Sequence, residues 1–116
     1  MRTRGTIALA LAVALLLPAC GGDAEPEACT DPVAATTVEL ADFAFRPDCL
    51  SAAPGATISL ENSGDAPHTF TVEGTDVDLD LDAGAASQAS LSGVEPGRYA
   101  VTCTYHPQMT ATLTVA

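Results

Sequence analysis

The stretch Cys103-Thr104-Tyr105-His106-Pro107-Gln108-Met109 joins two segments that have the composition of β-strands. The first segment begins at Gly97 and ends at Cys103, the second covers residues 110–115, and both contain the valine and threonine that are common in strands. Because the loop between them is short, we expect the two strands to pair and to fix both ends of the loop. A thiol, an imidazole and a thioether then lie close together on one connection.

A second imidazole lies far upstream at His68, and the protein has no histidine other than His68 and His106. Two histidines, a cysteine and a weakly bound methionine are the ligands of a mononuclear blue-copper site. We therefore expect one copper ion per domain, bound by His68, Cys103, His106 and Met109. Taken alone, each of these residues would more often have a structural role than bind a metal. One thiolate with one thioether is a poor tetrahedral set for zinc, and a binuclear copper centre needs a second cysteine in the loop.

The first twenty residues predict export. Arg2 and Arg4 precede an apolar run, residues 7–17, which is too short to span a bilayer and is typical of a secretory signal peptide. The following Leu-Pro-Ala-Cys-Gly resembles a bacterial lipobox with Cys20 as the lipidated first residue; the alternative is an ordinary signal peptide with a chance cysteine. We expect a signal peptide at 1–19, an acidic flexible tether at 20–35 and one copper-binding domain at 36–116.

The charge of the protein limits its partners. The chain has net charge −11, but Arg2 and Arg4 lie in the leader and all fifteen acids follow Cys20. Two arginines against fifteen acids give the mature protein net −13, without any lysine. Such a surface repels nucleic acid and anionic headgroups, so membrane attachment must come from the lipid. It attracts a redox partner with a basic docking surface, although the charge is equally consistent with solubility alone.

Two cysteines remain for a disulfide. A domain of about 80 residues has a small core and usually needs a covalent or metal staple. Disulfides persist outside the cytoplasm, and Cys20 and Cys103 already have other roles, so we expect a Cys29–Cys49 bridge. The alternative is two separate thiols.

The rest of the domain predicts short strands and no helix. Alternating or β-branched segments are separated by turn signals such as Pro54-Gly55 and Pro96-Gly97. This pattern favours an all-β fold, a Greek-key antiparallel β-sandwich of seven to eight strands. The predicted strands are 37–43, 56–61, 67–73, 76–82, 87–91, 98–104 and 110–115.

A row of aspartates, Asp76, Asp78, Asp80 and Asp82, has the clearest period of two in the chain. On one face of a strand these carboxylates form a solvated ridge of like charge. We favour the interpretation that the ridge discourages strand addition by another molecule. The alternative is a docking patch for a cationic partner, or a weak site for hard cations.

These features together resemble the cupredoxins, in particular the small plastocyanin-like and amicyanin-like members. The resemblance covers residues 36–116 and rests on Phe-x-Pro at 45–47, Pro-Gly at 54–55, Asn62, Pro-His-Thr-Phe at 67–70, Pro-Gly-x-Tyr at 96–99 and Cys-x2-His-x2-Met at 103–109. It implies an eight-stranded sandwich with the four ligands named above. It also implies that His106 reaches the surface through an apolar patch, here Ala66, Pro67, Pro107 and Met109, and is the exit of the electron.

Two positions depart from the family pattern. Many relatives have Asn after the first ligand histidine, where its side chain ties the ligand loops together, and this chain has Thr69, whose hydroxyl replaces only part of that bonding. Many also have Gly two residues after the methionine, where this chain has Ala111. Pro67 and Pro107 stiffen the backbone beside the ligand histidines.

The predicted function is that of a monomeric one-electron carrier, anchored outside the cytoplasmic membrane through Cys20. The sequence shows no substrate-pocket motif, so we expect no enzymatic activity. The main alternative uses the same ligands for copper delivery, storage or homeostasis. A third hypothesis is a copper-free sandwich that acts as an adhesion module.

Overall fold

The computed structural model describes residues 29–116. The predicted signal peptide, the lipidation site Cys20 and the first part of the tether lie outside the described residues. Within residues 29–116, no helix combines the length and the hydropathy needed to cross a bilayer.

The described chain folds into two β-sheets, and it contains no helix. The first sheet has six strands in the order β1-β4-β10-β9-β6-β7, and the second has four in the order β3-β2-β5-β8. The strands are β1 (Val33–Ala34), β2 (Thr37–Ala41), β3 (Ala44–Arg46), β4 (Cys49–Ala52), β5 (Thr57–Asn62), β6 (His68–Val72), β7 (Asp78–Leu81), β8 (Ala86–Ser90), β9 (Gly97–Thr102) and β10 (Thr110–Val115).

The predicted all-β sandwich is confirmed, with two differences in detail. The described residues contain ten strands where seven to eight were expected, because β1, β3 and β4 were not predicted as strands. The sheets are also mixed, since β4 runs parallel to both β1 and β10, and β2 runs parallel to β5. Strand β1 lies in the last part of the segment predicted as a tether, residues 20–35, and it extends the first sheet by one short strand.

The core forms where the two sheets face each other. Each long strand turns alternate side chains inward, as in β5, where Ile58 and Leu60 are fully buried. The rings of Phe45 and Phe70 meet edge to face across the sandwich, with centroids 6.0 Å apart. Burial of these apolar side chains is the main term that stabilises the fold.

Several chain reversals come together at one end of the sandwich, which we call the ligand pole. They are the β2–β3 turn at residues 42–43, the β5–β6 loop at 63–67 and the β9–β10 loop at 103–109. Antiparallel pairing of β6 with β9 and of β9 with β10 brings the start of β6 beside the end of β9. Residues 68 and 103, which are 35 positions apart in sequence, therefore become neighbours.

The N-terminal part of the described chain is attached to the first sheet. Cys29 and Cys49 form a disulfide with their Cα atoms 5.2 Å apart. The Arg98 guanidinium donates a hydrogen bond to the carbonyl oxygen of Cys29 at 2.9 Å, which ties the same point to β9. The bridge thus joins the N-terminal segment to β4, a strand that has its parallel partners on both sides.

Replacing Cys29 and Cys49 together by serine is expected to lower the free energy of unfolding by about 3 kcal/mol, because the bridge closes a loop of 20 residues in the unfolded chain. Urea denaturation of the metal-free protein measures the change. The control is wild-type protein reduced with dithiothreitol, which should lose a similar amount. An unchanged unfolding midpoint in both samples would contradict the prediction.

Candidate metal centre

The β9–β10 loop is held by the two strands that it joins. Thr102 at the end of β9 pairs with Thr110 at the start of β10. Inside this pair, the Cys103 N–H donates to the Met109 carbonyl at 3.2 Å, and the Met109 N–H donates to the His106 carbonyl at 2.9 Å. The His106 N–H in turn donates to the Cys103 carbonyl at 3.3 Å. The loop is therefore folded on itself, and its three candidate ligands have fixed backbone positions.

Three predicted ligands converge at the ligand pole. The Cys103 Sγ lies 3.8 Å from the Nδ1 of His68 and 3.6 Å from the Nδ1 of His106. One donor atom from each of these residues lies within 4.8 Å of the others, and the two imidazole centroids are 5.0 Å apart. Bonds of about 2.0 Å to nitrogen and about 2.3 Å to sulfur span at most about 4.3 Å, so each sulfur–nitrogen pair can share one ion.

The candidate ligands are unequally exposed. His68 and Cys103 are buried, with 0% and 2% of their surface accessible, and Met109 is buried at 1%. His106 is only half-buried. His68, Cys103 and Met109 are therefore shielded from solvent, and the imidazole of His106 is partly open to it.

Asp42 orients the imidazole ring of His68. The Nε2 of His68 lies 2.7 Å from an oxygen of the Asp42 carboxylate. An ionised carboxylate only accepts hydrogen bonds, so Nε2 donates this bond, and Nδ1 is the ring nitrogen that faces Cys103. Hydrogen bonds from the backbone of Asp65, and then from His68, hold the pKa of Asp42 below its ordinary value. This is the arrangement that orients a metal-binding histidine.

Thr69 connects the two ligand loops. Its backbone N–H donates to the Cys103 Sγ at 3.4 Å. Its hydroxyl accepts the N–H of Thr104 at 2.8 Å and contacts the hydroxyls of Thr71 and Thr104 at 3.0 and 3.2 Å. Thr69 therefore makes a direct bridge between the loops.

Asn62 shapes the loop that leads to His68. Its buried side-chain amide lies within 3.1 Å of the carbonyl oxygens of Ala66, Leu81 and Asp82. Its oxygen accepts the N–H of Gly64 at 2.9 Å. All the polar atoms of this side chain are thus bonded to backbone, so the β5–β6 loop has one defined path.

Phe43 covers the solvent side of the centre. Its ring lies 4.6 Å from the ring of His106 and 6.1 Å from that of His68, and half of its surface remains exposed. Of the residues predicted to form an apolar patch, Ala66 is half-buried, Pro67 and Pro107 are exposed, and Met109 is buried. Phe43 therefore adds an exposed aromatic surface next to His106. Met109 is buried, so it does not contribute to the exposed patch.

The predicted acidic ridge lies beside this pole. Asp76, Asp78, Asp80 and Asp82 are all exposed, and β7 is an edge strand. The Tyr105 hydroxyl donates a hydrogen bond to the Asp80 carboxylate, so the ridge touches the ligand loop. This bond, with the nearby negative charges, raises the pKa of Tyr105 above its ordinary value.

Sequence reasoning missed Asp42 and Phe43. Asp42 is 26 residues from the imidazole that it contacts, and neither residue belongs to a pattern that marks a site. The sequence pattern predicts one strand over residues 37–43, whereas β2 ends at Ala41, and Asp42 and Phe43 form a turn. A turn at these two residues is the local feature that could have drawn attention to them.

The fold and the donor set agree with a comparison against protein families. The family described as "Cupredoxin-like domain" matches residues 7–115. The chain belongs to this family. Copper is the ion that cupredoxins bind, and the sulfur and two nitrogen donors of Cys103, His68 and His106 fit a single copper site.

Relatives and solved structures are consistent with this assignment. The chain is 28% identical over 118 residues to "Methylamine utilization protein MauL" of Methylophilus methylotrophus, with 96% of this chain and 68% of that protein covered. Its fold is similar to a purple cupredoxin from Nitrosopumilus maritimus, at 18% identity and TM-score 0.58 over 70% of this chain and 99% of the other. It is also similar to a mutant fern plastocyanin, at 22% identity and TM-score 0.59 over 69% and 99%.

Replacing Thr69 by valine is expected to lower the free energy of unfolding by about 1 kcal/mol, because the Thr104 N–H loses its acceptor at a part-buried position. Chemical denaturation of the metal-free protein measures the loss. The matched control is Thr71→Val, on the same strand, whose hydroxyl contacts Thr69 and Asp78 but no backbone of the ligand loop. Equal losses in the two variants would contradict a specific role for Thr69.

Proposed function

We propose that this protein is a one-electron carrier that holds a single type 1 copper ion through His68, Cys103, His106 and Met109. The observation that carries the proposal is the convergence of one sulfur and two imidazole nitrogens within 4.8 Å at one end of a sandwich. Met109 ends the same loop and is buried, as a weak axial ligand would be.

The bound ion supplies the redox change between Cu(II) and Cu(I). The chain supplies the geometry. Soft sulfur donors favour Cu(I) and imidazoles suit Cu(II), so one donor set serves both states. The strand pairing at 102 and 110, the Thr69 bridge and the Asn62 amide oppose rearrangement of the ligand loops when the ion changes its charge. Burial of Cys103 and Met109 keeps water from the sulfur atoms.

The half-buried His106 is the proposed exit of the electron. Its ring lies against Phe43, and Pro67 and Pro107 are exposed on the two ligand loops. A partner that covers these apolar side chains comes within van der Waals distance of a copper ligand. Electron transfer needs only such an approach and no substrate pocket, so we assign no enzymatic reaction to the protein.

The proposed partner is a redox protein with a basic docking surface. The mature chain has two arginines against fifteen acids, and four of its aspartates flank the ligand pole near Tyr105. Such a field raises the encounter rate with a cation-rich surface. We further propose that Cys20 is lipidated, that residues 20–28 belong to the tether, and that the domain works as a monomer at the outer face of the cytoplasmic membrane.

Copper delivery is the competing function, and the partial exposure of His106 is the observation that favours it. A delivery protein passes its ion quickly to a chelator and exchanges electrons slowly with a second copy. An electron carrier does the reverse. Measuring copper transfer to a chelator and electron self-exchange on the same sample separates the two functions.

Replacing Cys103 by serine is expected to abolish the intense visible absorption that Cu(II) produces with the wild-type protein, because that band arises from the copper–thiolate bond. Visible and EPR spectra of protein titrated with Cu(II) measure the effect. The matched control carries serine at Cys29 and Cys49, and it should keep the band because the bridge lies outside the donor set. A full band in the Cys103→Ser protein would overturn the proposal.

Replacing Met109 by leucine is expected to raise the reduction potential by more than about 59 mV, equivalent to a tenfold change in the ratio of affinities for the two copper states. The reason is that the apolar side chain removes a weak donor that helps to stabilise Cu(II). Voltammetry measures the potential, and the copper content should stay at one ion per protein. Complete loss of copper in this variant would contradict a weak axial role.

A further inference from the structure

The carboxylate of Asp42 accepts three hydrogen bonds from the ligand pole. The first comes from the Nε2–H of the buried His68 at 2.7 Å. The others come from the backbone N–H groups of Asp65 at 2.8 Å and Ala66 at 3.3 Å. A single side chain on the β2–β3 turn therefore holds the imidazole of one copper ligand and the loop that leads to it.

The neighbouring loop is shaped to fit this carboxylate. A Cβ atom added at Gly64 would overlap the Asp42 carboxylate and would lie 3.1 Å from the Asp42 backbone nitrogen. Only a residue without a side chain lets the backbone wrap so closely around Asp42. The Asn62 side chain fixes the same turn by accepting the Gly64 N–H. The packing of Gly64 is a second geometric observation, independent of the hydrogen bond to His68.

Neither arginine within residues 29–116 pairs with the Asp42 carboxylate. Of the two arginines in the described part of the chain, Arg46 lies 3.8 Å from Glu39, and Arg98 is bonded to the carbonyl of Cys29. The contacts of Asp42 are an imidazole N–H and two backbone N–H groups. Its negative charge therefore acts on the metal centre through the His68 ring.

We propose that Asp42 is the positioning residue of this centre: it fixes His68 with Nδ1 free to bind copper, and its charge lowers the reduction potential. Cu(II) carries one more positive charge than Cu(I), so a fixed negative charge beyond one ligand stabilises the oxidised state more. Hydrogen-bonding partners of metal-binding histidines change metal affinity about 10–100-fold. This inference rests on the proposed copper function, but the hydrogen bond itself is testable without metal.

The test compares Asp42→Asn with the matched control Asp65→Asn. Asn keeps the size and an acceptor oxygen but removes the charge. In copper-loaded protein at neutral pH, Asp42→Asn is expected to lower the ratio of Cu(II) to Cu(I) affinity about tenfold, which raises the potential by about 59 mV. Asp42 and Asp65 are both exposed, but it is the carboxylate of Asp42 that contacts His68. Asp65→Asn removes the same charge from the neighbouring loop, so it should shift the potential much less. Equal shifts in the two variants, or no shift in Asp42→Asn, would overturn the proposal.

Gly64→Ala is the second variant, because its methyl group displaces the Asp42 carboxylate without changing any charge. We expect its potential to move in the same direction as that of Asp42→Asn. A potential equal to wild type, in a protein with an unchanged far-UV spectrum, would count against the proposal.

Nitrogen-15 NMR of the metal-free wild-type protein tests the hydrogen bond independently of copper. The expected result is that His68 carries its proton on Nε2, with a proton resonance shifted downfield by the carboxylate and moved upfield in Asp42→Asn. A proton on Nδ1 in the wild type would overturn the role of Asp42. If the protein failed to bind copper, the function proposed above would fall, and this measurement would still decide how His68 is positioned.

Discussion

The pairing of β9 with β10 is the constraint on which the rest of the structure depends. It closes the loop of residues 103–109 at both ends, and backbone hydrogen bonds from Cys103 and Met109 fold the loop on itself. A free segment of this length would lose much conformational freedom when its side chains gathered around an ion. Here that freedom is lost when the sandwich folds, so the donor atoms are arranged before the metal arrives. The stability of the first sheet and the arrangement of the donor atoms are therefore physically linked.

Polar side chains secure the rest of the ligand pole, where the apolar core ends. Asn62, Thr69 and Asp42 bond mainly to the backbone of the loops that carry the ligands. A buried polar group that lacks partners is costly, so the buried Asn62 and Thr69 tolerate only one arrangement of their surroundings. Apolar packing could hold the loops with similar strength, but it would fix their path less exactly. The polar side chains thus fix the backbone path of the loops that carry the candidate ligands.

The sequence predicts those parts of the structure that depend on local pattern. The alternation of aspartates with Val77, Leu79 and Leu81 identified β7, and residues 110–115 were predicted with the bounds that β10 has. The donors at 68, 103 and 106 could be named because their residue types and spacing carry chemical meaning.

Non-local contacts explain what was missed. Strands β1 and β4 are short, and they are held by parallel partners and a disulfide rather than by a periodic sequence. The contact of Asp42 with His68 likewise depends on two loops meeting at one pole, which no single window of sequence reports.

The buried and exposed donors control different properties of a bound ion. His68, Cys103 and Met109 are enclosed, whereas the ring of His106 is half-exposed beneath Phe43. A chelator or a small oxidant thus approaches from a single direction, over that aromatic pair. A substitution at Phe43 therefore changes access to the centre, whereas a substitution at the enclosed His68 or Cys103 changes its interior.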